Sequence, residues 1–177
     1  MFRRRTNAKG RFIPMTKVRG FLAPLNPVMV NNMKGIYVLI LRLETDLDLI
    51  IGKLGIINFK NGYYYYIGSA LGTGGFKRVT RHFNVASGKN LTRKWHIDYL
   101  LGHSDVICAL LLPTDEALEC RAAKELMEYS DLIPGFGCSD CTCKTHLFFS
   151  DMDIRDNIID TANKLTGNES IIIYPSI

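Results

Sequence analysis

The apolar residues of this chain fall into short blocks, and the spacing inside each block predicts its conformation. From Lys34 onward, IYVLILRL (36–43) is a nearly unbroken β-type run. LDLIIG (47–52) and LGIINF (54–59) are shorter strands. Asn61-Gly62 marks a hairpin turn, and YYYYIG (63–68) returns as the next strand. A glycine-rich loop, GSALGTGG (68–75), leads into FKRVTRHFNVAS (76–87), where Phe76, Val79, Phe83 and Ala86 recur on one helical face. WHIDYLLG (95–102) is a short helix, and DVICALLLP (105–113) is a buried strand ended by Pro113. Thr114 stands as N-cap of a helix over 115–129, whose acidic first turn suits the helix dipole. A Gly/Cys-rich loop, a strand at 145–150, a helix at 153–165 and a strand at 170–174 complete the pattern. Hairpins come first and helices later, with no internal repeat. That order predicts an α+β fold rather than a wound parallel sheet.

Charge changes this picture at one end. Residues 1–33 hold seven of the 22 Lys and Arg residues and no acid, and carry prolines at 14, 24 and 27. They read as a basic flexible tail, with the folded domain spanning 34–177. The rest of the chain holds 15 basic against 17 acidic groups, so the net charge of +5 describes the tail and not the body. No run approaches the roughly 20 apolar residues that cross a bilayer. The expectation is a soluble cytoplasmic protein with no membrane partner. Five cysteines, three of them crowded together, argue against a secreted disulfide framework.

Three features carry candidate chemistry. In the helix at 76–87, Arg78 and His82 stack one turn apart at the edge of the apolar face. A half-buried Arg there either snorkels or grips a phosphate with its planar fork. In the helix at 115–129, Glu119 falls within the apolar stripe while Glu116, Glu125 and Glu128 fall outside it. A carboxylate on a core face pairs with an Arg or binds a hard cation. Third, Cys138, Cys141, Cys143 and His146 have metal-ligand character, but all lie within nine residues with no second half elsewhere. Zinc is one reading, a loop of small buried thiols another, and a Cys nucleophile paired with His146 a third. The glycine loop matches no phosphate-binding pattern and reads as a sharp turn.

Strand alternation puts Tyr64 and Tyr66 on one face and Tyr63 and Tyr65 on the other. Gly35-Ile36-Tyr37 opens one strand and Tyr66-Ile67-Gly68 closes its neighbour. Together with Ser69-Ala70 and Lys77-Arg78-x-x-Arg81-His82-Phe83, they resemble the GIY-YIG nuclease signature. GFGCSDCTCKTHLFF (135–149) is similar to the Uri-type, mostly archaeal branch of that superfamily. The resemblance spans about residues 34–150. It implies a small, largely antiparallel central sheet flanked by helices. The 28 residues between the two motifs (38–65) exceed the family's usual spacing and imply an added strand pair that widens the sheet.

The resemblance also implies an activity, a metal-dependent endonuclease acting on nucleic acid, with DNA expected ahead of RNA. Tyr37, alone or with Tyr66, would take a proton from the attacking water. Arg78 would neutralise charge on the phosphate, His82 would orient water or phosphate, and Glu119 would hold one Mg²⁺ or Mn²⁺. Lys77, Arg81, Arg93, Lys94 and His96 would track the nucleic-acid backbone. The family's late Asn has no counterpart, and His146 or Asp140 stands nearest its place. A protein partner would supply specificity. The rival readings are a non-catalytic nucleic-acid-binding module of the same fold and a zinc protein built on the Cys138–His146 loop.

Overall fold

The computed structural model describes residues 27–139 and 141–175, and its centre is the run that the sequence marks most strongly. That run forms β1 (Gly35–Leu43), buried at eight of its nine positions. Burial on both faces is why it reads as a continuous apolar block and not as an alternating one. β4 (Gly62–Ser69) and β5 (Asp105–Pro113) flank β1, each antiparallel to it. β7 (Leu147–Ser150) pairs with β4, and the two-residue β6 (Asp131–Leu132) pairs with β7. β8 (Ile171–Ile173) closes the far edge on β5. The result is a six-stranded antiparallel sheet in the order β6-β7-β4-β1-β5-β8.

Both faces of this sheet are covered, so the α+β expectation holds. On the first face, Tyr37, Leu39, Tyr64 and Tyr66 pack with Val79 of α2 (Lys77–Ala86) and with Ile97 and Leu100 of α3 (His96–Leu101). On the second, Val38, Ile40, Tyr65 and Ile67 pack with Ala122 and Leu126 of α4 (Glu119–Leu126) and Ile158 of α5 (Arg155–Thr166). The tyrosine row is thus divided between the two cores by strand alternation, as expected. Among the described residues no helix is long and apolar enough to cross a membrane.

The structure corrects three boundaries. The strand pair between the motifs, β2 (Leu47–Ile50) and β3 (Ile56–Phe59), does not widen the central sheet. It forms a separate two-stranded ribbon, anchored on the first face by buried Ile51 and Phe59. Residues 27–33 belong to the fold and not to the tail. α1 (Pro27–Asn32) begins on a proline, whose missing N–H costs a first helical turn nothing. It buries Val30, and the Met33 carbonyl accepts the Phe76 N–H at 3.0 Å. The remainder of the expected tail lies outside the described residues. The fourth helix starts at Glu119 and not at 115. Thr114 Oγ1 accepts the Glu116 N–H at 3.1 Å, which closes a side-chain turn ahead of the helix.

Candidate active site

β1 and β4 bring the two tripeptides together through backbone register. Tyr37 lies opposite Gly68, and the Tyr37 and Tyr66 ring centroids are 6.5 Å apart. Gly68 is required there. A Cβ at position 68 would run into the ring and hydroxyl of Tyr37, so the phenol occupies the space where a side chain would be. Gly75 has the same kind of constraint at the start of α2. It combines φ +51° with a close approach to the Met33 carbonyl, which lets the chain turn from β4 back across the sheet.

A cleft of about 370 Å³ opens at the end of β4. Tyr66, Gly68 and Ser69 of β4 line it, with Arg78 of α2, Lys94, Trp95 and His96 at the start of α3, and Glu119 of α4. Gly137, Cys141 and His146, from the loop before β7, contribute the rest together with Cys120 and Ser139. Trp95 organises the basic lining. Arg78 stacks over its ring at 4.8 Å from the centroid, Arg81 at 4.3 Å, and Lys94 Nζ at 5.2 Å. Stacking holds a guanidinium flat and presents its edge. His96 is fixed by its Nδ1, which accepts the Gly137 N–H at 3.3 Å.

A buried polar chain adjoins the cleft. Tyr37 Oη lies 2.8 Å from His82 Nε2, and His82 Nδ1 lies 3.5 Å from Asp98 Oδ1. Asp98 takes both forks of Arg81, at 2.9 and 2.8 Å, and the N–H groups of Lys94 and Trp95 at 2.7 and 3.0 Å. Burial pushes the Asp98 carboxyl up. The nearby His82 ring and the hydrogen bonds from Arg81, Lys94 and Trp95 outweigh it and hold the group well below the usual carboxylate range. Burial lowers the pKa of His82, and Asp98 does not restore it, so the imidazole is neutral at pH 7. Nδ1 makes no well-aligned hydrogen bond among the described residues, and the anionic Asp98 at 3.5 Å favours the tautomer that carries the ring proton there. Nε2 is then an acceptor for the Tyr37 hydroxyl. Burial, then the neighbouring Tyr66, raise Tyr37 well above an ordinary phenol, with Arg78 opposing.

Not every expected site residue reaches the cleft. Tyr66, Arg78, Lys94, His96 and Glu119 line it, while Tyr37 and His82 are buried and do not, the Tyr37 hydroxyl packing against Gly68 of the lining. Glu119 is half-buried in the first turn of α4, on the face that carries buried Ala122, Ala123 and Leu126, as the helical spacing predicts. Arg81 is engaged internally by Asp98 and by the Thr92 carbonyl and does not line the cleft. Lys77 and Arg93 are exposed, and Arg93 stacks on Tyr99 at 5.3 Å. Asp140 lies outside the described residues.

The cysteine loop also differs from the expected grouping. The ligand atoms of Cys120, Cys141, Cys143 and His146 all lie within 4.8 Å of one another, and Cys138 is not among them. The Cys120 and Cys143 sulfurs lie against each other, close enough for a disulfide, and Cys141 Sγ is 3.2 Å from His146 Nε2. Sequence reasoning missed Cys120, Asp98 and Trp95. Asp98 carried a usable signal, an acid between Ile97 and Leu101 on the buried side of a short helix. Trp95 is the only tryptophan of the chain and directly follows Arg93-Lys94. Cys120 gave no local signal, because its partners belong to another element.

The family described as "Domain of unknown function DUF123" matches residues 36–167, which include Ile36-Tyr37, the whole of Tyr66-Ile67-Gly68, α2 to α4 and the cysteine loop. No curated protein and no solved structure matches the chain.

Proposed function

The chain belongs to this family of unknown function, and we propose that it is a metal-dependent phosphodiesterase of the GIY-YIG type that cuts nucleic acid, DNA ahead of RNA. One observation carries the reading. Tyr66, Arg78 and Glu119, from three separate elements, line a single cleft, and the Tyr37 hydroxyl packs against Gly68 of its lining.

The residues suit phosphodiester hydrolysis. Arg78, held flat on Trp95, grips the non-bridging oxygens of the scissile phosphate, and Lys94 adds positive charge beside it. Glu119 is the one carboxylate among the described residues lining the cleft. A single carboxylate suits Mg²⁺ or Mn²⁺, whose shells are completed by water and phosphate oxygens. Such an ion supplies charge stabilisation at the phosphate and the leaving 3′ oxygen.

The buried chain handles the proton. Tyr37 is too weak an acid to serve as a phenolate, but it does not need to. Its oxygen accepts a proton from water as its own proton passes to His82 Nε2, and Asp98 stabilises the resulting imidazolium. Tyr66 flanks this route and contacts the substrate side of the cleft.

The test is a cleavage assay on single-stranded, duplex, flap and damaged DNA, with RNA controls, in Mg²⁺ or Mn²⁺. Arg78→Ala and Glu119→Ala each reduce cleavage by about 10²–10³-fold or more. Glu119→Ala retains nucleic-acid binding. If the wild type nicks no substrate with either ion, yet binds DNA with a steep salt dependence, the protein is a binding module and the proposal fails.

A further inference from the structure

We infer that Cys120, Cys141, Cys143 and His146 form a tetrahedral zinc site that staples the loop before β7 to the first turn of α4. The inference is independent of any cleavage activity. It starts from convergence. Zinc bonds of about 2.3 Å to sulfur and 2.0–2.1 Å to nitrogen set tetrahedral ligands roughly 3.5–3.8 Å apart. The four ligand atoms here all fall within 4.8 Å of each other, with Cys141 Sγ and His146 Nε2 at 3.2 Å. Within the loop alone, the four metal-type side chains crowd too closely in sequence to wrap an ion. The fold replaces Cys138 with Cys120 from a helix, which supplies the separate second half that structural zinc sites use.

The donor chemistry selects the ion. Three thiolates and an imidazole nitrogen favour zinc over Mg²⁺ or Mn²⁺, which take oxygen ligands. The site would carry a net charge of about −1 when filled, by counting three thiolates against a divalent ion. Arg78, Lys94 and His96 line the same cleft and offset it. A disulfide between Cys120 and Cys143 uses only two of these groups and leaves the convergence of Cys141 and His146 without a purpose. In the thiolate form all four have one.

The backbone is built to hold the loop side of such a site. The His146 N–H donates to the Phe136 carbonyl at 2.8 Å, and its own carbonyl accepts the Ile67 N–H at 2.9 Å. Thr145 Oγ1 bonds the Leu147 carbonyl at 3.1 Å and accepts the Leu147 N–H at 3.0 Å. His146 is therefore aimed before any ion arrives. On the other side, Cys120 follows Glu119 directly. Zinc at this position is structural for the cleft, because it fixes the turn that carries the carboxylate.

Metal analysis of the full chain, purified with reductant and without added metal, tests the site in the absence of nucleic acid. One zinc per chain, retained through EDTA dialysis, is expected. Cobalt substitution is expected to give thiolate charge-transfer absorption and the strong visible bands of a tetrahedral site. Cys138→Ser keeps full zinc, while Cys141→Ser and Cys120→Ser lose it. Should those variants fail to fold, alkylation of the wild type decides: Cys120, Cys141 and Cys143 react only after zinc is stripped. The inference is overturned by metal-free protein with reduced thiols, by stoichiometric iron in place of zinc, or by loss of zinc in Cys138→Ser alone. A Cys120–Cys143 disulfide in protein isolated under thiol-blocking conditions overturns it as well.

Discussion

Replacing Asp98 by alanine tests whether the buried polar chain holds the basic lining in place. Asp98 is fully buried, while the Arg81 side chain that pairs with it is 21% exposed. Removing one partner of a buried, hydrogen-bonded ion pair costs about 3–5 kcal/mol, since the other charge is left without compensation. Arg81 can turn toward water, which favours the lower end. The N–H groups of Lys94 and Trp95 also lose their acceptor, at about 1–3 kcal/mol for one that stays buried. A loss of about 3–5 kcal/mol in total is expected. That is a large share of the 5–15 kcal/mol by which domains are stable, and lowers Tm by roughly 6–20 °C. Urea unfolding followed by far-UV circular dichroism measures it. Trp95 fluorescence reports the same transition from the site, since it is the only tryptophan. Asp98→Asn keeps the shape but not the charge and should lose less. In a double-mutant cycle with Arg81→Met, the two losses should fall short of additivity by at least about 1 kcal/mol. The sign of the pH dependence follows from the depressed Asp98 pKa. Its stabilisation is fully present above the unfolded value near 4 and is lost as pH falls through the folded value. The gap between wild type and Asp98→Asn should thus be constant above about pH 5 and shrink below pH 4. A loss under about 1 kcal/mol for Asp98→Ala, or additive behaviour with Arg81→Met, would refute the reasoning.

Two further outcomes follow from the same geometry. Gly68→Ala drives a methyl group into the Tyr37 ring, which is packed between two strands and α2. It should cost about 1–3 kcal/mol or more and abolish cleavage, and a crystal structure of a fully stable variant with an unmoved Tyr37 would contradict this. If neutral His82 is the proton acceptor, kcat/KM should be flat near pH 7 and fall on the acid side. The midpoint should lie below 6.5, because burial lowers the His82 pKa. Stability should decline over the same acid range, since the unfolded chain binds that proton more readily, and an acid limb centred above pH 7 would exclude this role for His82.

The parts of the fold that were legible are those whose signal is local. β1 and β5 read as uninterrupted apolar runs because they are buried on both faces, and their bounds were close to those expected. α2 was legible from its single apolar stripe. α1 and β6 were not. A six-residue helix and a two-residue strand hold too few positions to establish a period, and tertiary contact alone maintains them. The ribbon of β2 and β3 was found as two strands, but nothing in a strand's own pattern states which sheet it joins. Arg81 and Arg78 show the same limit in the site. Both lie on α2 and stack on Trp95, yet Asp98 engages one and the cleft exposes the other.

The sequence by itself determined the alternation that sets Tyr64 and Tyr66 on one face of their strand and Tyr63 and Tyr65 on the other. It also determined the position of Arg78 at the edge of an apolar stripe. These follow from periods of two and 3.6 residues, which any short window displays. Only the tertiary structure decided that Glu119 reaches the same cleft as Arg78, that Asp98 sits behind His82, and that Cys120 rather than Cys138 joins the cysteine cluster. Each of these depends on where α4, α3 and the loop before β7 settle against opposite faces of one sheet. That placement is set by the packing of the two cores together and is written in no single window of the chain.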